Sequence, residues 1–473
     1  MKKKIVLLLG AIAVIVLIWS AIAGQRQQSY AEAELRDQDK IWIITDLHYL
    51  SQDLFDDGEA FSYIEKTAAG KDLRYGKERM EALVEQVEQV EREQPSLLLV
   101  SGDLTLNGEK QSMVELAQYF TRIEEKGTEV LVIPGNHDIA SGWARAFKGD
   151  QQIVTDQVTA QQFAELFAHH GYQQASSRDK ASLSYLAKPF SNAWFLMIDS
   201  NIYSDGYGKG APPTNGRIKK ETLEWIEIQL RSAKEAGVSL IPVVHHNVLQ
   251  QHAMLSKGYT LDNAADLKAL FNQYGIQFGF SGHTHSQNIV KEDLGQVNYT
   301  EVVNGAFSIY PAIIGQLSLD DTSIHYQKTQ LDMASWAEKH QPSDPNLQNH
   351  VTYLQTVFDN TSDIMVHNVL NDERWYDGET ADAISQFIMP ANRAYFSGEK
   401  LDQTWLDEKV FSSQAYQTLQ AASPRSFLAD YLDVIIKRSQ SRDVEKIVIK
   451  TKKRFCPIVF HRLLKNPRLI HKL

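Results

Sequence analysis

Five short polar strings, each set directly behind an apolar run, constrain this chain more than any other feature. They are Asp46-Leu47-His48, Gly102-Asp103-Leu104-Thr105, Gly135-Asn136-His137-Asp138, His245-His246-Asn247 and Gly282-His283-Thr284-His285. The runs before them (Ile41–Ile44, Leu97–Val100, Val130–Ile133, Leu240–Val244 and Ile276–Phe280) read as buried strands. Between the runs, Met80, Leu83, Val84, Val87 and Val90 mark one helix face. Met113, Leu116, Phe120 and Ile123 mark a second, and Leu223, Ile226 and Leu230 a third. Trp194–Ile198 reads as another strand, and residues 140–190 as an excursion of helices and loops. Alternating strands and helices predict an α/β fold, whose ligands gather at the carboxyl ends of strands. Strings far apart in sequence therefore meet along one sheet edge.

The chemistry of the strings is narrow. Carboxylate, imidazole and amide side chains are oxygen and nitrogen ligands, a set suited to manganese, iron, zinc or cobalt. Each string alone has a plainer reading, as a turn, a helix cap or a structural histidine. All five in one chain, each at a strand end, leave that reading little room. The only cysteine, Cys456, excludes intrachain disulfides, zinc sites built from four cysteines and Cys-x-x-Cys redox chemistry. The formal net charge is −11, although Lys446 to Leu473 holds nine Lys/Arg and no acidic residue. The body is thus acidic, and no duplex nucleic acid is expected as a partner.

This ordered set resembles the calcineurin-like metallophosphoesterase superfamily over about Lys40 to Lys328. The resemblance implies a four-layer αββα sandwich of two mixed sheets flanked by helices, and two metal ions (Mn, Fe, Zn or Co). By that resemblance Asp46, His48, Asp103 and His285 match the ligands of one ion. Asp103, Asn136, His245 and His283 match those of the other, with Asp103 bridging. Of the pair His245-His246, the family pattern favours the first as ligand. His137 matches a non-ligand histidine beside the leaving group, and Asp138 the acidic residue that orients its ring. Two cations about 3.5–4 Å apart activate water at neutral pH and offset phosphoryl charge. A leaving alkoxide also needs a proton donor, the part His137 is expected to play.

The remaining segments carry no ligand string. Residues 1–28 form a membrane anchor or a signal peptide: Lys2-Lys3-Lys4 precede the uncharged run Ile5–Ala23, and Ala21-Ile22-Ala23 has the form of a cleavage site. Either reading exports the rest of the chain, to the membrane's outer face if uncleaved or into the medium if cleaved. Residues 25–38 read as a polar linker, 38–328 as the metallophosphoesterase domain, 329–445 as an all-helical C-terminal domain and 446–473 as a basic tail. Trp336, Trp375, Tyr376 and Trp405 are expected in the helical core. Asp199 and Tyr203 are expected to be structural. His169-His170, Arg74, Arg79 and Lys110 are expected on solvated faces. In architecture and length the chain is similar to the exported cyclic-nucleotide phosphodiesterase-like branch of Gram-positive bacteria. That likeness implies a phosphodiesterase acting on 3′,5′-cyclic nucleotides or related diesters, with a nucleotide as the small phosphate-ester partner. A phosphomonoesterase or nucleotidase is the alternative, and a non-catalytic binding protein the more distant one.

Overall fold

The computed structural model describes residues 35, 39–89, 94–204, 206–320, 323–373, 377–441 and 443–450. The N-terminal apolar run and residues 451–473 of the basic tail lie outside them, as do Trp375 and Tyr376. Among the described residues no helix is long and apolar enough to cross a membrane.

Three parallel strands open the first sheet: β1 (Lys40–Ile44), β2 (Pro95–Ser101) and β3 (Glu129–Ile133). Their near-continuous apolar sequences mark strands covered on both faces. A hairpin comes next, β4 (Arg145–Lys148) with β5 (Gln151–Val154). The second sheet is then built from β6 (Ser177–Arg178), β7 (Tyr185–Ala187), β8 (Ala193–Ile198), β9 (Ser239–Val244), β10 (Phe278–Ser281), β11 (Asn288–Asp293) and β12 (Asn298–Val303). Its order is β11-β12-β10-β9-β8-β7-β6, with β8, β9, β10 and β12 parallel. The chain returns to the first sheet with β13 (Ile313–Asp320), β14 (Ser323–Gln330) and β15 (Lys446–Lys450), giving the order β15-β14-β13-β1-β2-β3.

The two sheets share one core, in which Ile41, Leu99 and Leu131 join Phe195, Val243 and Phe280. On the outer side of the first sheet the same core takes in Met80, Leu83 and Val87 of helix Gly76–Gln89, and Leu116 and Phe120 of helix Lys110–Glu125. A second core covers the outer face of the other sheet with Ile226 and Leu230 of helix Lys220–Ala236, and Leu267 and Phe271 of helix Ala264–Tyr274. These are the four layers of an αββα sandwich. Between β14 and β15 the described residues are mainly helical, with Met333–His340, Pro345–Gln348, His350–Glu373, Gly378–Ser397, Gln414–Ala421 and Phe427–Ser441 as the main helices. Val366, Ile384, Ile388, Leu428 and Leu432 build a separate core there, with Trp405 packed against it.

Several expectations are corrected. Trp336, Leu347 and Leu354 pack into the sandwich core, so the helical region is wedded to the sandwich at its start. The first five residues of the basic tail form β15, because Ile447 and Ile449 pack against the sandwich core. Residues 140–190 contain a hairpin and short strands besides helix. His170 is buried against Phe120 and Phe167, not solvated. Arg79 is buried in an ion pair with Asp72, whereas Arg74 pairs with Glu65 and Asp57 nearer the surface. Leu35, within the expected linker, is buried with its backbone bonded to the Asn192 side chain.

Candidate metal centre

The strand ends of both sheets meet at one edge of the sandwich, and backbone hydrogen bonds carry the pairing past the strands. Asp46 N donates to Gly102 O (3.0 Å) and His48 N to Asp103 O (3.0 Å). Gly282 N donates to His245 O (3.0 Å), and Phe307 N to Thr45 O (2.9 Å) ties the two sheets together. Asp46, His48, Asp103, His283 and His285 all take left-handed backbone conformations, with φ from 41° to 69°. Such conformations cost about 1–3 kcal/mol each in non-glycine residues and concentrate at functional sites. Gly135 is required by contact, since a Cβ there would overlap the Asp103 amide and carboxylate.

Ligand-type atoms of Asp46, His48, Asp103 and His285 all lie within 4.8 Å of one another, as do those of Asp103, His245 and His283. Asp103 belongs to both groups. Each carboxylate is held by one oxygen and aims the other inward. Asp46 Oδ2 accepts from Thr45 Oγ1 (2.8 Å) and His283 N (3.0 Å), while its buried Oδ1 has no hydrogen-bond partner and lies 3.4 Å from His285 Nε2. Asp103 Oδ1 accepts from His137 N (2.9 Å), and Oδ2 lies 3.4 Å from His245 Nε2 and 3.7 Å from His48 Nε2. Asn136 Oδ1 sits 3.2 Å from His245 Nε2. His48 Nε2 and His285 Nε2 are 3.0 Å apart.

Two of the histidines, His245 and His283, are set as metal ligands usually are, with the far ring nitrogen on a carbonyl. His245 Nδ1 is 2.9 Å from Ser101 O, leaving Nε2 for the cluster. His283 Nε2 is 3.2 Å from Gly258 O, leaving Nδ1. Both ring nitrogens of His246 are engaged elsewhere, with Ser200 Oγ (2.8 Å) and Thr214 O (3.2 Å), so His245 is the member of the pair that faces Asp103. Orphaned carboxylate oxygen, convergent imidazoles and a shared Asp103 fit two divalent ions.

The electrostatics agree. Burial works against the Asp103 charge, yet His245, His137 and His48 hold its carboxyl well below the usual range. Burial lowers His283 to about 3, helped by His245. His245 is the exception: burial lowers it, but Asp103 prevails and raises it to about 9.

His137 is half-buried, its ring 5.2 Å from that of His48. Its Nδ1 meets two oxygens, Leu106 O and Asn107 Oδ1, both at 2.9 Å, which assigns the proton to Nδ1 and turns Nε2 away from them. This corrects the expected role of Asp138, whose carboxylate accepts from Gly135 N (2.8 Å), Leu104 N (3.0 Å), Thr105 N (3.0 Å) and Thr105 Oγ1 (3.2 Å). Asp138 thus closes the turn that carries Asn136 and His137 and joins it to the Asp103 loop, while Asn107 takes the ring. Burial and nearby Asp103 push the Asp138 carboxyl up to about 7, with the three amides pulling the other way. Asp199 is structural as expected, accepting from Leu183 N, Asn201 N and Tyr203 Oη.

One cation at the site escaped the motif reading. Lys71, in the loop before helix Gly76–Gln89, is half-buried and acts electrostatically on both His48 and His137. It carries no motif, and a single lysine behind a glycine offers little for sequence reading to seize.

Comparison with known proteins now places the chain. The calcineurin-like phosphoesterase profile matches residues 39–287, more than half of it. The chain belongs to the calcineurin-like phosphoesterase family. Residues 332–442 of this phosphoesterase match a second profile, the C-terminal domain of cyclic nucleotide phosphodiesterase. No curated protein sequence matches it. Among solved structures it is similar to a dimetal phosphatase from Danio rerio, at 13% identity and a TM-score of 0.44, over 62% of this chain and 96% of that one. It is also similar to a purple acid phosphatase from yellow lupin, at 13% identity and a TM-score of 0.38, over 63% of this chain and 52% of that one. Likenesses this distant do not speak to substrate. Family membership supports a phosphoester hydrolase.

Proposed function

We propose that this phosphoesterase is a two-metal phosphodiesterase whose substrates are 3′,5′-cyclic nucleotides or closely related diesters. The observation that carries the reading is the match of residues 332–442 to the C-terminal domain of cyclic nucleotide phosphodiesterase, joined to an intact set of site residues. Asp46, His48, Asp103 and His285 would hold one ion, and Asp103, Asn136, His245 and His283 the other. Two such ions supply a water-derived nucleophile at neutral pH and offset phosphoryl charge.

The protein's own groups do the rest. Asp103 ties the two clusters together, and its second oxygen is fixed by the His137 amide. The acceptors at Nδ1 leave His137 Nε2 to deliver a proton to the departing alkoxide. Burial lowers the His137 pKa, and Asp103 counters it. A bound phosphoryl anion adds to that counterweight and favours the protonated ring. Asp138 holds the turn.

A second reading, a phosphomonoesterase, is favoured by Lys71, because a monoester dianion gains more from a nearby cation than a diester monoanion does. The test is a matched pair of chromogenic substrates, diester and monoester, with a 3′,5′-cyclic nucleotide alongside, at fixed Mn²⁺ and pH. The diester should show the higher kcat/KM and the cyclic nucleotide should open. Preference for the monoester, with the cyclic nucleotide intact, would decide for the second reading.

The lysine cluster before Ile5–Ala23 supports an exported catalytic region, anchored or released. Protease added to intact cells should then degrade it, or the protein should be found in the medium. Retention in the cell with full protection until lysis would contradict export.

A further inference from the structure

The loop at 68–75 links helix Glu59–Thr67 to helix Gly76–Gln89 and carries Lys71. Ala69 and Gly70 turn it through left-handed conformations (φ 54° and 81°), and Lys71 N closes the turn on Ala68 O (3.3 Å). One residue further on, Asp72 N donates to Ser308 O (2.8 Å), and Ser308 Oγ donates to the carbonyl of Asp46 (2.7 Å). Lys71 is thereby fixed two hydrogen bonds away from a candidate metal ligand.

The other side of the loop is pinned largely by the helical region. The buried Asp72 carboxylate pairs with Arg79, accepts from Tyr353 Oη (3.3 Å) and lies 3.6 Å from His350 Nε2. Tyr75 Oη donates to Asp344 (3.1 Å). Gly70 sits against the ring of Phe358, so closely that a Cβ at that position would press into it. His350, Tyr353 and Phe358 all lie on helix His350–Glu373, which supplies no candidate ligand.

Lys71 itself makes no side-chain hydrogen bond among the described residues, and the charges acting on its ammonium are Asp103 and Asp46. The ammonium is partly open to solvent and stands in the field of two buried carboxylates, and a phosphoryl anion at the site would give it a direct, charge-assisted partner. We propose that Lys71 is a substrate-binding residue that contacts a non-bridging phosphoryl oxygen, and that the helical region holds it there through His350, Tyr353 and Phe358. The proposal rests on the phosphoester-hydrolase reading and is indifferent to diester or monoester, since both present such an oxygen.

The experiment uses the full-length chain reconstituted with Mn²⁺ and titrated with inorganic phosphate in a calorimeter, with metal content measured on each sample. Lys71→Met should keep the wild-type metal count and bind phosphate roughly 10- to 100-fold more weakly, the worth of one charge-assisted hydrogen bond. Lys71→Arg should recover most of that affinity, which a merely structural lysine would not predict. Phe358→Leu, a mild change that loosens the loop, should weaken phosphate binding by a smaller factor, again without metal loss. Wild-type affinity in Lys71→Met, or loss of metal from it, would overturn the role of Lys71. Wild-type affinity in Phe358→Leu would overturn the role of the helical region. Failure of the diester reading shows separately, as a monoester preference in the substrate panel, and leaves the phosphate titrations unchanged.

Discussion

The strand-end loops of the sandwich and the helical C-terminal region bear on the same site in opposite ways. The loops hold every candidate ligand, and five of these residues sit in left-handed conformations that the surrounding hydrogen bonds must enforce. The helical region holds none of them. It reaches the Lys71 loop through Asp72, Gly70 and Tyr75, and so bears on where a positive charge stands. Removing a loop residue should therefore change metal content or chemistry. Disturbing the helical side should change stability and anion affinity and leave the metals in place.

The largest effect should come from Asp103→Ala. It removes the carboxylate common to both clusters, so activity should fall by roughly 10⁴-fold or more, together with metal content. His137→Ala should lose roughly 10²–10⁴-fold in rate while keeping its metals, as a proton donor outside the ligand set would. Single-turnover kinetics on each reconstituted variant distinguish the two.

On the helical side, Asp72→Asn should cost about 3–5 kcal/mol at pH 7, because it leaves Arg79 buried without its counter-charge. Burial tends to raise the Asp72 carboxyl, but Arg79 and His350 outweigh it and bring it down to about 2. A depressed carboxyl contributes stability above its ordinary pKa of about 4, and that stability is lost as pH falls through the folded value. The gap between wild type and Asp72→Asn should thus narrow between about pH 4 and pH 2, which denaturant titrations across that range will show. The smallest effect expected is from Tyr353→Phe, about 0.5–1.5 kcal/mol for one hydroxyl to Asp72.

The contrast between the two regions also explains what could be read from the sequence. The candidate ligands are compressed into short strings behind apolar strands, so the resemblance of those strings to the metallophosphoesterase pattern could name Asp46, Asp103, His245 and His283, and favour His245 over His246, before any contact was known. The parallel strands were legible for the same reason, since burial on both faces writes an unbroken apolar run. What the sequence obscured depends on partners from distant segments. Asp138 lies next to His137, yet its carboxylate serves the amides of Leu104 and Thr105, and Asn107 takes the ring. Lys446–Lys450 reads as the start of a charged tail until β14 gives it an edge to pair with. Arg79 looks like an ordinary helix-face charge until Asp72 is folded beneath it. Lys71 needs Ser308, His350 and Phe358 together before its position means anything.

The central claim is that Asp103 joins two metal sites beside a histidine that binds neither ion. Elemental analysis of the full-length protein after Mn²⁺ reconstitution tests it most directly, with wild type, Asp103→Ala and His137→Ala measured together. The account predicts two ions per chain in wild type and in His137→Ala, and a loss of bound metal in Asp103→Ala. Two ions retained in Asp103→Ala, or a metal-free His137→Ala, would contradict it.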